Sequence, residues 1–335
     1  MDSGRPRCGG SLCTVGPARR SPSYKLVHFP TIGYGEGISY PQCMPKAVEQ
    51  ALELIREDNA QAIDRALALL QNTVYAFSMK ICGHREDAED TMQEVLLKSI
   101  PHLAKFDNPK ALKVWLYKVA RNCCLSQRRK ASNSPARNLS LDELMPSRFE
   151  LERMLRNPEP SQEQALLSEE DAEQLKQAIM AVPILYRMVL VLHDMEELST
   201  REVAQIMSLR EGTVRMRLHR ARLFLRQQLA RAEDGGPITL PSLHAAAEEE
   251  ERPVRCRRLF AALSDYMDGV IDDAMCDEMD RHLHDCEPCQ AFLASLKNAV
   301  AQCHSYAPQC DEQRAEQLRQ QLLQQYQAAV VALPK

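Results

Sequence analysis

Of the twelve cysteines in this 335-residue chain, six lie at or beyond Cys256. Three donors there have a spacing that suits a metal: His282, Cys286 and Cys289 read His-x3-Cys-x2-Cys. Residues four apart share a helical face, and Cys289 follows across Glu287-Pro288, so one imidazole and two thiolates can converge. Cys256, upstream, could complete a tetrahedral site for one zinc ion, with three local ligands and one distant one. A unit of roughly fifty residues has little core of its own, so bound metal would supply part of its folding free energy. The bland alternative is a set of buried, reduced thiols. Cys276, His284, Cys303, His304 and Cys310 are left over as spare thiols, a second metal site or a redox pair.

A second constellation is basic. Val214, Leu218, Ala221 and Leu225 fall at i, i+4, i+7 and i+11, one apolar stripe, while Arg215, Arg217, His219, Arg220 and Arg222 occupy the remaining faces. Just upstream, Ser199 and Glu202 have capping-box spacing, which starts a short helix that buries Val203, Ile206 and Met207. A short helix, a tight turn at Ser208–Arg210 and a second helix with a basic surface are what major-groove reading requires. A solvated arginine-rich face is the competing reading.

The elements that must position these groups are helical. Charged residues make up 26% of the chain and aromatics 5%, and long stretches consist of good helix formers. Helices are expected from Lys46, after Asp58 and Asn59 to a C-terminal Gly83, from about Glu86 to Ser99, and from Lys110 to about Arg129. Prolines at 135, 146, 158 and 160 mark a linker over 131–165. Helical patterning resumes at Glu169 and continues to about Arg231, with breaks at Pro183, Glu196–Ser199 and Ser208–Arg210. Gly235-Gly236-Pro237 and the Glu run at 248–251 form a second linker. The expected organisation is an extension at 1–43 that could precede a start at Met44, then units at 44–130 and 166–232. The linker 233–252, a zinc-binding unit at 253–302 and a Cys/Gln-rich helical tail at 303–335 complete it. The fold class is all-α.

The net charge of -4 says little, because the signs are segregated along the chain. The most apolar stretch, Ile179 to Leu192, is broken by Pro183 and Arg187, so no membrane span and a cytoplasmic location are expected. No catalytic triad, phosphate loop or paired-carboxylate site appears, and an enzyme reading has no support.

The helix expected at 86–99 carries Asp87-Ala88-Glu89-Asp90 and Gln93-Glu94-Val95, with Met92, Val95 and Leu96 on its buried side. Together with Trp115-Leu116-Tyr117-x-x-Ala120-Arg121-Asn122, these words resemble region 2 of RNA polymerase sigma factors. The segment from Val182-Pro183-Ile184-Leu185-Tyr186-Arg187 to Arg222 resembles region 4 of the extracytoplasmic-function group. The resemblance implies a transcription initiation factor whose partners are core RNA polymerase and promoter DNA. It assigns polymerase docking to Asp87, Glu89, Asp90, Gln93 and Glu94. It assigns minus-10 melting to Trp115, Lys118, Arg121, Asn122, Arg128 and Arg129, with Asn122 on a flipped base. Minus-35 reading falls to Arg215, Met216, Arg217, His219 and Arg220. Trp115 also lies at apolar-face spacing with Leu112 and Val119 and could instead be a core anchor. Cys256-Arg-Arg-Leu-Phe, Tyr266-Met-Asp-Gly269 and the His/Cys cluster resemble the zinc-binding anti-sigma domain, which implies regulation in cis by the C-terminal unit. The readings that compete with this are a DNA-binding regulator that never joins polymerase and a metal sensor on a helical scaffold.

Overall fold

The computed structural model describes residues 44–57, 59–131, 138–156, 169–233 and 254–331, and every regular element among them is helical. The extension at 1–43 and the linker residues 234–252 lie outside the described residues. The described residues form two units, one within 41–138, 167–239 and 301–335, the other within 139–166 and 240–300.

In the larger unit α1 (Met44–Arg56) pairs with α2 (Ala60–Cys82). Asn59 caps α2 by accepting from the Ala62 amide at 2.8 Å. Gly83 ends it in the left-handed conformation, φ 79°, donating to the Met79 carbonyl at 2.9 Å. A side chain at position 83 would be strained twice over, since a Cβ there would sit 2.5 Å from the Met180 sulfur. Then come α3 (Arg85–Ser99), a 3-10 turn (Ile100–Lys105) and α4 (Pro109–Ala131). Phe77 of α2 meets Tyr117 of α4 with ring centroids 4.7 Å apart, and Leu67, Leu70, Met92, Leu96, Leu112 and Leu116 are fully buried around them.

The expected 131–165 linker is not featureless. It holds α5 (Leu141–Leu144) and α6 (Arg148–Arg156), with Leu139 and Leu144 buried in the smaller unit. Pro146 and Leu151 of this segment line one apolar cavity with Leu259, Phe260, Leu263 and Phe292. Prolines broke the periodicity, but four apolar side chains find a partner surface.

The larger unit resumes with α7 (Glu169–Ala181), α8 (Ile184–Leu190), a π-helical turn (Val191–Met195), α9 (Thr200–Met207) and α10 (Glu211–Glu233). Ser199 and Glu202 form the full capping box of α9, and Val203, Ile206 and Met207 are buried as their spacing required. Ser208, at φ 55°, makes the sharp turn into α10. The smaller unit continues with α11 (Val254–Met267), α12 (Asp273–Asp285) and α13 (Glu287–Ser305). Helix α13 runs unbroken through position 302, where a boundary between zinc-binding unit and tail was expected. The last helix, α14 (Glu312–Val331), belongs to the larger unit and packs on α2 and α3.

Candidate nucleic-acid interface and metal centre

Cys256 lies in the first turn of α11, His282 near the end of α12, Cys286 at the α12 C-cap and Cys289 in the first turn of α13. The Cys286 carbonyl accepts from the amides of Cys289 and Gln290, both at 3.1 Å, so the loop that carries two thiols is itself the start of α13. The four ligand atoms lie within 4.8 Å of one another. His282 Nε2 is 3.6 Å from Cys256 Sγ and 3.2 Å from Cys289 Sγ. A tetrahedral zinc places such nitrogen–sulfur pairs about 3.6 Å apart, so the donor set and spacing fit. Burial, and then the Cys286 and Cys256 sulfurs, push the Cys289 thiol above its ordinary range, the self-repulsion a dication would relieve. Tyr266 donates to Asp280 at 2.6 Å and ties α11 to α12 beside the cluster.

On α3, Asp87, Asp90 and Glu94 are exposed and Gln93 is half-buried, giving one acidic and amide-bearing face. Glu89 departs from this: it is buried, held by Arg85 at 2.8 Å and by Arg314 of α14 at 2.9 Å. Along α4, Lys118 and Asn122 are exposed and Arg121 is half-buried. Arg121 reaches the Ile206 carbonyl of α9 at 3.5 Å. Trp115 is half-buried between His102 and Phe106, each ring centroid 5.7 Å away, so it serves as an anchor for the 3-10 turn and keeps one edge in reach of solvent. The side chains of Arg128 and Arg129 lie outside the described residues.

Helix α10 corrects two expectations. Met216 is 45% exposed and Arg215, Arg217 and Arg220 are partly exposed, as a reading face needs. His219, however, is 7% exposed, and burial, then Arg222 and Arg220, push its pKa down to about 4. It packs inward because α7, α8 and α9 wrap more of α10 than one stripe. Arg222 is also inward, forming a two-point pair with Asp194 at 2.8 and 2.6 Å. The guanidinium beside it holds the Asp194 carboxyl well below the usual carboxylate range against the opposing effect of burial.

Sequence reasoning missed one cluster. Glu196, 1% exposed, accepts from Lys80 at 2.8 Å and from the Tyr117 hydroxyl at 2.5 Å, while its carbonyl takes Lys113 at 3.0 Å. Arg187 of α8 adds a bond to the Ile81 carbonyl at 2.6 Å. A lone acid in a turn carries no signal of such partners, since Lys80 and Glu196 are 116 residues apart.

These parts define a multi-domain helical transcription factor, with a helix-turn-helix, a second helical platform and a Cys3His centre. Family models agree part by part. "Sigma-70 region 2" matches residues 67–134, "Sigma-70, region 4" matches 172–225 and "Putative zinc-finger" matches 256–290. The ECF RNA polymerase sigma factor SigW of Bacillus subtilis is 26% identical over 186 residues, covering 56% of this chain and 98% of SigW. The RNA polymerase sigma-H factor of Pseudomonas aeruginosa is 27% identical over 175 residues, covering 52% of this chain and 89% of that protein. The chain thus carries sigma-70 region 2 and region 4 domains with a zinc-finger domain behind region 4, and the relatives it resembles include extracytoplasmic-function sigma factors. Those domains and relatives imply a transcription initiation factor. Among the described residues no helix is long and apolar enough to cross a membrane.

Proposed function

We propose that the chain directs core RNA polymerase to promoters and that the form described here is its closed, resting state. Asp87, Asp90, Gln93 and Glu94 present the polymerase-docking face of α3. Lys118, Arg121 and Asn122 on α4 hold the opened minus-10 strand, cations on phosphates and the amide on an unstacked base. Arg215, Met216, Arg217 and Arg220 on α10 enter the minus-35 major groove. Catalysis belongs to the polymerase, and the chain acts in the cytoplasm where polymerase works.

The closed state rests on one observation: Arg121 of the minus-10 helix touches Ile206 of the helix-turn-helix. Promoter elements about 25 base pairs apart lie ~85 Å apart along the duplex at 3.4 Å per step. Two DNA-binding domains packed together cannot span that length, so region 4 must swing away from region 2. The Glu196 cluster and Arg187 hold them together. Helix α14 adds a second restraint, because Arg314 occupies Glu89 on the docking helix itself. The zinc-binding unit holds Cys256, His282, Cys286 and Cys289 on a single zinc and so ties the starts of α11 and α13 to the end of α12. When bound, zinc supplies structural cross-linking only.

Residue-split variants test the assignment. Asn122→Ala is expected to leave duplex minus-35 binding intact and to reduce open-complex formation at least tenfold. Arg215→Ala is expected to do the reverse. Equal loss of both activities from either variant would contradict the two-surface reading.

A further inference from the structure

Region 2 holds a thiol pair that neither DNA binding, polymerase docking nor the zinc centre uses. Cys82 closes α2 and Cys124 sits in α4, with their sulfurs 3.5 Å apart. Cys82 is half-buried, Cys124 is 3% exposed. Thr91 of α3 donates to Gln127 at 2.9 Å, which leaves its oxygen to accept from Cys124 Sγ at 3.9 Å. The Cys124 side chain is thereby aimed into the junction of three helices, directly against Cys82.

We propose that Cys82 and Cys124 are a peroxide-sensitive redox pair, Cys82 reacting first and Cys124 resolving it to a disulfide. The sulfurs need to close by only about 1.5 Å to reach bonding distance, a movement side-chain torsions can supply. The Cys82 sulfur attacks one peroxide oxygen, the O–O bond breaks and water leaves, giving a sulfenic acid at Cys82. Cys124 sulfur then attacks that sulfur and a second water leaves. Two thiols and one hydrogen peroxide yield one disulfide and two waters, with two electrons passing to the peroxide.

The division of labour follows from the surroundings. Cys82 is the more accessible thiol, and its hydrogen-bonding contact with the Cys124 sulfur lowers its pKa. The same contact, and then burial, raises Cys124, so it attacks only a sulfur brought to it. Cys123, beside it in sequence, is a poorer candidate, because burial pushes its pKa up to about 11 and its contact is Lys98. The position matters for function. Arg121 and Asn122 lie three and two residues before Cys124 on α4, and Arg187 docks region 4 on the Ile81 carbonyl next to Cys82. A disulfide here ties the minus-10 helix to the last turn of α2, at the point where the two regions meet.

The test uses the full, zinc-loaded chain without polymerase, so its outcome is separate from that of the promoter reading. The chain is treated with one equivalent of hydrogen peroxide, free thiols are alkylated, and the protein is digested without reduction for mass spectrometry. The expected result is that most of Cys82 is recovered linked to Cys124, that dithiothreitol restores both thiols, and that the oxidised chain melts several degrees higher. Cys82→Ser, at the less buried position, is expected to abolish the linked peptide and the shift in melting. Recovery of both cysteines as separately alkylated peptides, or consumption of Cys286 and Cys289 while Cys82 stays reduced, would overturn the proposal.

Discussion

Replacing Glu196 with alanine should open the closed state. Its carboxylate is fully buried, and the Lys80 side chain it holds is 6% exposed. Removing the acid leaves that ammonium, the Tyr117 hydroxyl and the nearby Lys113 without their buried counter-charge. Breaking a buried pair on one side typically costs about 3–5 kcal/mol. The partners come from α2 and α4 of region 2, while Glu196 precedes α9 of region 4, so the cost falls on the packing of one region against the other. At 1.4 kcal/mol per tenfold, separation becomes more favourable by about 10²- to 10^3.6-fold. Small-angle scattering measures this as an increased radius of gyration at unchanged helicity, and run-off assays should show higher transcript yield at limiting polymerase. Glu196→Gln, which keeps the Tyr117 bond and the shape, should fall between. A Glu196→Ala chain with unchanged radius and unchanged urea midpoint would refute the idea that this cluster is a latch.

Three further outcomes are expected. His219 stays neutral in the fold down to about 4, so as pH falls below its ordinary 6.5 the unfolded state takes a proton the folded state refuses, and stability is lost between those values. The loss between pH 7 and 5 is about 2 kcal/mol, and urea titrations of His219→Gln should lack that part of the slope. Metal analysis should find one zinc per chain, falling to none in a Cys286→Ser, Cys289→Ser double variant, with melting of the smaller unit at lower temperature. Deleting residues 311–335 removes Arg314 and the buried Leu318 and Leu322, each leucine contributing about 1.5–3 kcal/mol, so affinity for core polymerase should rise at least tenfold; unchanged affinity would mean α14 does not restrain docking.

Local signals were legible because local chemistry makes them. The Ser199–Glu202 box, the left-handed Gly83 and the His282–Cys289 spacing all formed as their residue types require. The acidic face of α3 was also visible, except at Glu89, which a residue 225 positions away claims. What one sequence could not show was which charges pair at long range. Arg222 and His219 looked like surface groups because a period of 3.6 assigns one buried stripe, while α7, α8 and α9 cover more of α10 than that. The linker prolines likewise hid α5 and α6, whose few apolar residues are stabilised by the zinc-binding unit rather than by their own periodicity.

The most direct test of the central claim is run-off transcription with purified core RNA polymerase and a library of promoter fragments. The account predicts transcripts with a defined start that require this chain, are lost with Asn122→Ala, and increase when Glu196 is replaced by alanine. Sequence-specific DNA binding with no chain-dependent transcript, at any zinc concentration and in the Glu196→Ala chain as well, would contradict it.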